Sequence, residues 1–112
     1  MTDANAELVS LRALCPEAEL WTEGGRPVVF LPGLQISKEG QGRRTVDALL
    51  WPHERDGYPT RLFLSETISW SVGGQWSHCV VQGRQWHACS WGPIPANQPW
   101  IAIVANHLRA LQ

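Results

Sequence analysis

The chain is short of charge. Asp, Glu, Lys and Arg supply 17% of its 112 residues, against about 25% in ordinary soluble domains. Part of the surface is therefore apolar, and we expect a partner to cover it. Nine basic and ten acidic residues leave a net charge of −1, which gives no electrostatic footprint for nucleic acid or an anionic membrane. The cluster Gly42-Arg-Arg-Thr45 is too small to reverse that. No run approaches the roughly 20 apolar residues that cross a bilayer. The opening Met1-Thr-Asp-Ala-Asn5 lacks the basic patch and apolar run of a targeting segment. Cysteine is scarce and odd in number, at three, so a closed disulfide framework is not expected. Free thiols in a reducing cytoplasm are the expectation. Neither Gly-x-Ser-x-Gly nor Gly-x-x-x-x-Gly-Lys occurs, which removes the serine-hydrolase and phosphate-loop signatures.

Hydrophobic residues are plentiful at 44%, enough for one core, and the length predicts a single domain over residues 1–112. Leu8, Leu11, Leu14 and Cys15 recur at three and four residues and predict a helix from about Asn5 to Cys15, ended by Pro16. Ala18–Thr22 and Pro27–Leu31 flank Glu23-Gly24-Gly25 and predict a hairpin, with Leu34 and Ile36 extending its second strand. The polar, glycine-bearing Lys38–Arg44 is expected to be a mobile loop. Thr45–Trp51 and Arg61–Glu66 predict a third and fourth strand, the fourth with Leu62 and Leu64 on one face and Phe63 on the other. Residues 67–100 hold many Trp, Gly and Pro and predict an irregular stretch, with short strands or loops at Cys79–Val81 and Gln85–Trp91. A last helix, capped by Asn97 with Pro99 in its first turn, carries the stripe Trp100, Ile101, Val104, Leu108 and Leu111. The fold expected from this order is α+β: helix, four-stranded antiparallel meander, irregular cysteine-bearing segment, helix.

Cys89 is the first candidate for chemistry. A reactive cysteine needs a nearby cation or a helix N-terminus to hold its thiolate. His87 stands two residues away, Arg84 five, and the last helix follows soon after. In an extended segment His87 and Cys89 share a side. The plainer alternative is that Cys89 packs between Trp86 and Trp91. Cys79, beside His78 and ahead of Val80-Val81, reads as a buried strand position and as the alternative nucleophile. Cys15 reads as core. His78-Cys79 and His87-x-Cys89 offer four potential metal ligands, but adjacent residues of a strand face opposite ways, so no metal is expected. The seven tryptophans are spread along the chain and suit a core and an interface, with a carbohydrate platform as the minority alternative. Gly57-Tyr58-Pro59 reads as a stiff turn feeding the fourth strand.

Taken in order, these parts resemble the ubiquitin-conjugating-enzyme superfamily (the UBC/RWD group), and its compact prokaryotic members most. Gly57-Tyr-Pro-Thr-Arg-Leu-Phe-Leu64 is similar to the family's flap running into its fourth strand, and Trp86-His-Ala-Cys-Ser-Trp91 to its cysteine segment. Arg61-Leu62 stand where the family has paired prolines, and no His-Pro-Asn precedes Cys89. The resemblance implies a conjugating enzyme that takes a ubiquitin-like protein from an activating enzyme as a Cys89 thioester and passes it to an amine of an acceptor protein. It assigns His87 to tuning that thiol and Tyr58 and Pro59 to the flap, and requires no cofactor. It implies a bacterial antiviral conjugation cassette as the setting. A cysteine-inactive scaffold of the same fold, binding a ubiquitin-like protein or activating enzyme, is the alternative.

Overall fold

In the computed structural model, residues 4–38, 40, 42–55, 57–68, 76–89 and 93–111 are described, with backbone alone at Lys38, Cys89 and Leu111. The elements are α1 (Ala4–Leu11), β1 (Glu19–Glu23), β2 (Arg26–Lys38), β3 (Gly42–Trp51), β4 (Arg61–Leu64), β5 (Trp76–Val81), β6 (Arg84–Cys89) and α2 (Trp100–Leu111). The strands form one antiparallel sheet in the order β1-β2-β3-β4-β6-β5.

This corrects the four-stranded expectation. The meander is present, but the sheet continues through a further hairpin, and Cys89 is the last residue of a strand rather than part of an irregular segment. Residues 76–81 alternate along a strand and turn back at Gln82-Gly83, both at positive φ (55° and 75°). Two successive left-handed residues make the tight turn whose twist matches paired strands. Glutamine in the first of those places is an uncommon choice, which hid the turn from a reading based on Asn-Gly or Asp-Gly. Lys38–Arg44 is corrected too. Lys38 ends one strand and residues 42–44 begin the next, with Lys38 paired to Gly42 and Gly40 and Gly42 at φ 83° and 84°; Glu39 and Gln41 lie outside the described residues. The helix cap also differs: Asn97 is exposed, and the Trp100 amide donates to Glu7 Oε2 at 3.0 Å. The cap of α2 thus comes from α1, at the other end of the chain.

The sheet carries apolar side chains on both faces. One face packs under the helices, joining Leu8 and Leu11 of α1, Leu31, Leu34, Leu50, Leu62, Leu64 and, from α2, Ile103 and Val104. The other face gathers Val28, Leu49, Trp51, Phe63, Val81, Trp86 and Ala88, with Trp21, Phe30 and Cys79 at its rim. No helix lies among these residues, yet Trp86 and Leu49 are fully buried. Curvature is what buries them. Phe30 on β2 and Trp86 on β6 are separated by two strands, so a flat sheet would hold them about 14 Å apart at about 4.8 Å per step. Their rings stand 6.0 Å apart, edge to face. Trp21 stacks on Phe30 at 4.6 Å, and the Arg84 guanidinium covers Trp86 at 4.6 Å. At the rim, Gln82 Nε2 donates to the Thr22 carbonyl at 3.1 Å and to Glu23 Oε2 at 3.0 Å. The hairpin turns at the two edges of the sheet therefore touch.

A bulge between Leu31 and Leu34 allows β2 to bend. Gly33 sits there at φ 67°, its amide donating to Asp47 Oδ1 at 2.9 Å. A Cβ at Gly33 meets nothing within 4 Å, so the cost of Gly33→Ala is backbone strain alone, about 1–2 kcal/mol. We expect a lower denaturant midpoint with an unchanged slope, and a smaller loss for Gly33→Asn.

No helix among the described residues is long and apolar enough to cross a membrane.

Candidate functional site

The turn expected to act as a flap is a closed loop ahead of β4. Arg55 and Tyr58 exchange backbone hydrogen bonds at 2.9 Å in each direction. Gly57 takes φ 85°, and its amide donates to Glu54 Oε1 at 3.3 Å. The Arg61 guanidinium, from the start of β4, lies 4.4 Å from the Tyr58 ring centre. That residue is 6% exposed, so the ring and the guanidinium are packed as one layer.

Thr60 ties this turn to two distant parts of the chain. Its Oγ1 donates to the Ile94 carbonyl at 2.8 Å and stands 2.8 Å from His107 Nε2. With its one hydroxyl proton given to Ile94, Thr60 accepts from an Nε2–H of His107, which assigns that tautomer. The bonds join the Tyr58-Pro59 turn, the segment that follows Cys89, and α2. Burial holds the His107 imidazole neutral, and the Arg61 charge adds to that, lowering its pKa to about 4. Sequence reasoning missed His107. The signal was present, because residue 107 falls on the α2 stripe with Ile103 and Val104, where an apolar residue was due.

The cysteines separate cleanly. Cys15 Sγ donates to the Pro32 carbonyl at 3.0 Å, and burial, opposed in part by a Glu17 backbone hydrogen bond, raises its pKa. It is a core thiol, as expected, although α1 ends at Leu11, before it. Cys79 faces Trp86 across β5 and β6 and packs half-buried against the helix-free face. His78 and His87 are direct partners across the same two strands. His87 also pairs with Leu64, which belongs to the helix-covered face, so Cys79 and the two histidines lie on opposite faces. Cys89 is described by its backbone only, as the Cα partner of Trp76. Antiparallel pairing of Leu64 with His87 sends the Cys89 end of β6 toward the Arg61 end of β4. The structure thus brings the Cys89 backbone toward the Tyr58-Pro59-Thr60 turn at the Arg61 end of β4, keeps His87 at the Leu64 end, and leaves Cys79 behind the sheet. Trp70 and Trp91 lie outside the described residues.

Asp47, on β3, is a half-buried charged group within the sheet. Burial raises its pKa, but hydrogen bonds from Arg84 at 2.7 Å and from the Gly33 amide, with the Arg84 charge, outweigh that and the net shift is downward. This pair spans from β3 to β6 over β4 and fastens the curl. Arg44 and Glu66 form a second ion pair, at the margin.

No protein-family model, curated protein sequence or solved structure matches the chain.

Proposed function

We propose that the protein handles a ubiquitin-like modifier in a reducing cytoplasm, with Cys89 receiving the modifier's C-terminal acyl group as a thioester. One observation carries this reading: the Cys89 end of β6 runs toward the Tyr58-Pro59-Thr60 turn, and Thr60 is bonded to the segment beyond Cys89. A stiff turn beside the end of β6 forms a ledge on which an extended C-terminal tail can lie. The Cys89 thiolate attacks the thioester carbonyl of the activating enzyme's conjugate, and the departing thiolate leaves with its electron pair. An acceptor amine then attacks the new thioester, loses a proton and releases Cys89. The two thioesters are close in energy, so the protein's task is to position the groups and stabilise the oxyanion. His87, two residues before Cys89, is assigned to tuning the thiol.

The regular pairing of β6 favours a second reading, a cysteine-inactive scaffold that only binds the modifier or activating enzyme. β6 pairs with β5 along its whole length and with β4 at His87, which commits part of its amides to the sheet and leaves fewer to hold an oxyanion.

Incubation with an activating enzyme, ATP and modifier decides between them. The transfer reading expects a thiol-sensitive adduct that survives Cys79→Ala and Cys15→Ala and disappears in Cys89→Ala. A complex that forms without any adduct selects the scaffold.

A further inference from the structure

The histidine pair on β5 and β6 has no part in the thioester chemistry beyond the role given to His87, and its geometry suits a different ligand. We propose that His78 and His87 form a two-imidazole binding site for a borderline divalent cation of the copper and zinc class. The two residues are directly opposed across the antiparallel pair, and their ring centres stand 6.2 Å apart at a 59° tilt. His78 is exposed and His87 half-buried, so an ion reaches the pair from solvent.

Direct cross-strand partners have Cβ atoms about 4.5–5.5 Å apart. Metal–nitrogen bonds of about 2.0–2.1 Å set two ring centres about 5 Å apart around a tetrahedral ion. The rings must therefore close by about 1 Å, a movement that side-chain rotation on an edge hairpin supplies. Imidazole nitrogen is the preferred donor for copper, zinc and nickel, and copper binds most tightly of the three. Arg84, the guanidinium on the same hairpin, points to the other face, where it covers Trp86 and pairs with Asp47. Among the described residues no group of three or more His, Cys, Asp or Glu side chains is placed to hold a metal. The pair therefore supplies two ligands and leaves the remaining positions to water, which suits an exchangeable ion rather than a structural one.

The test uses the untagged full chain, titrated with copper(II) chloride and separately with zinc chloride, and followed by calorimetry and copper EPR. One ion per chain is expected, with an EPR signal split by two nitrogens. His78→Thr and His87→Thr are each expected to weaken copper binding at least tenfold and remove one nitrogen, with unchanged circular dichroism. Threonine is chosen because it favours strands. Affinity within threefold of the parent in either variant overturns the site. A Cys89→Ser chain is expected to keep the two-nitrogen spectrum, and its loss there would equally overturn the assignment to the pair. The proposal stands apart from the thioester reading, whose failure would leave these outcomes unchanged.

Discussion

Lowering the pH from 6.5 to 4 is expected to cost the folded protein about 3 kcal/mol at one residue, and a His107→Gln chain is expected to escape that loss. His107 is 2% exposed, and its folded pKa of about 4 lies below the ordinary 6.5, chiefly because burial disfavours the charged ring and next because Arg61 repels it. Above pH 6.5 the ring is neutral in both folded and unfolded chains, so stability does not depend on it. As the pH falls from 6.5 toward 4, the unfolded chain takes up a proton that the folded chain refuses, and each pH unit removes about 1.4 kcal/mol. Below 4 the folded ring also protonates and this contribution levels off. Glutamine keeps an N–H near Thr60 Oγ1 but does not titrate. The measurement is urea unfolding at half-unit pH steps, read as the difference between parent and variant. That difference cancels other groups, including His53, whose pKa burial also lowers while its bond to the Pro27 carbonyl opposes the shift. Parallel curves would show that His107 titrates normally in the fold.

Trp86→Ala is expected to destabilise by about 3–5 kcal/mol, the range for emptying a large aromatic site, whereas Trp86→Phe should cost much less than its loss of volume suggests. Trp86 is fully buried and forms the centre of a cluster that no helix covers, touching Phe30 and lying beneath Arg84. Removing the indole also removes the ring through which β6 meets β2, so the curl should loosen along with the packing. The phenylalanine arm depends on a second property. The buried indole Nε1–H has no hydrogen-bond partner among the described residues, and an unsatisfied buried donor costs about 1–3 kcal/mol. Phenylalanine removes that donor and keeps a ring against Phe30. Chemical denaturation of both variants checks the pair of values. Equal losses would mean that the indole N–H finds a partner in solution.

The sequence showed clearly the elements whose causes are local. The first part of α1, the stripe of α2 and the Gly24-Gly25 hairpin were readable because spacing and turn chemistry sit within a few residues, although α1 stops at Leu11 rather than near Cys15 and leaves Leu14 exposed. The alternation of Leu62 and Leu64 against Phe63 was readable for the same reason, and the structure places these residues in the two separate clusters. The β5–β6 hairpin was not readable, since Gln82 bears a conformation that propensity assigns to Asn or Gly. The Glu7 cap on Trp100 and the Thr60–His107 bond link residues 93 and 47 positions apart, and no local pattern announces such a pairing. The same holds for the candidate site. The residue types at Tyr58, Cys79, His87 and Cys89 drew attention, but only the strand register separates Cys79 from the histidines and sends the end of β6 toward the turn.

The bridge from Gln82 to Thr22 and Glu23 bears on how copies of this chain behave when crowded. An open sheet ordinarily presents two straight margins on which foreign strands can grow into fibrils. Here those margins are pinched together at the Glu23 and Val81 ends, so an incoming strand finds a lane that narrows as it lengthens. Recruitment would stall after a few residues near Glu19 or Trp76, and severing the bridge with Gln82→Gly would reopen the lane along its whole length.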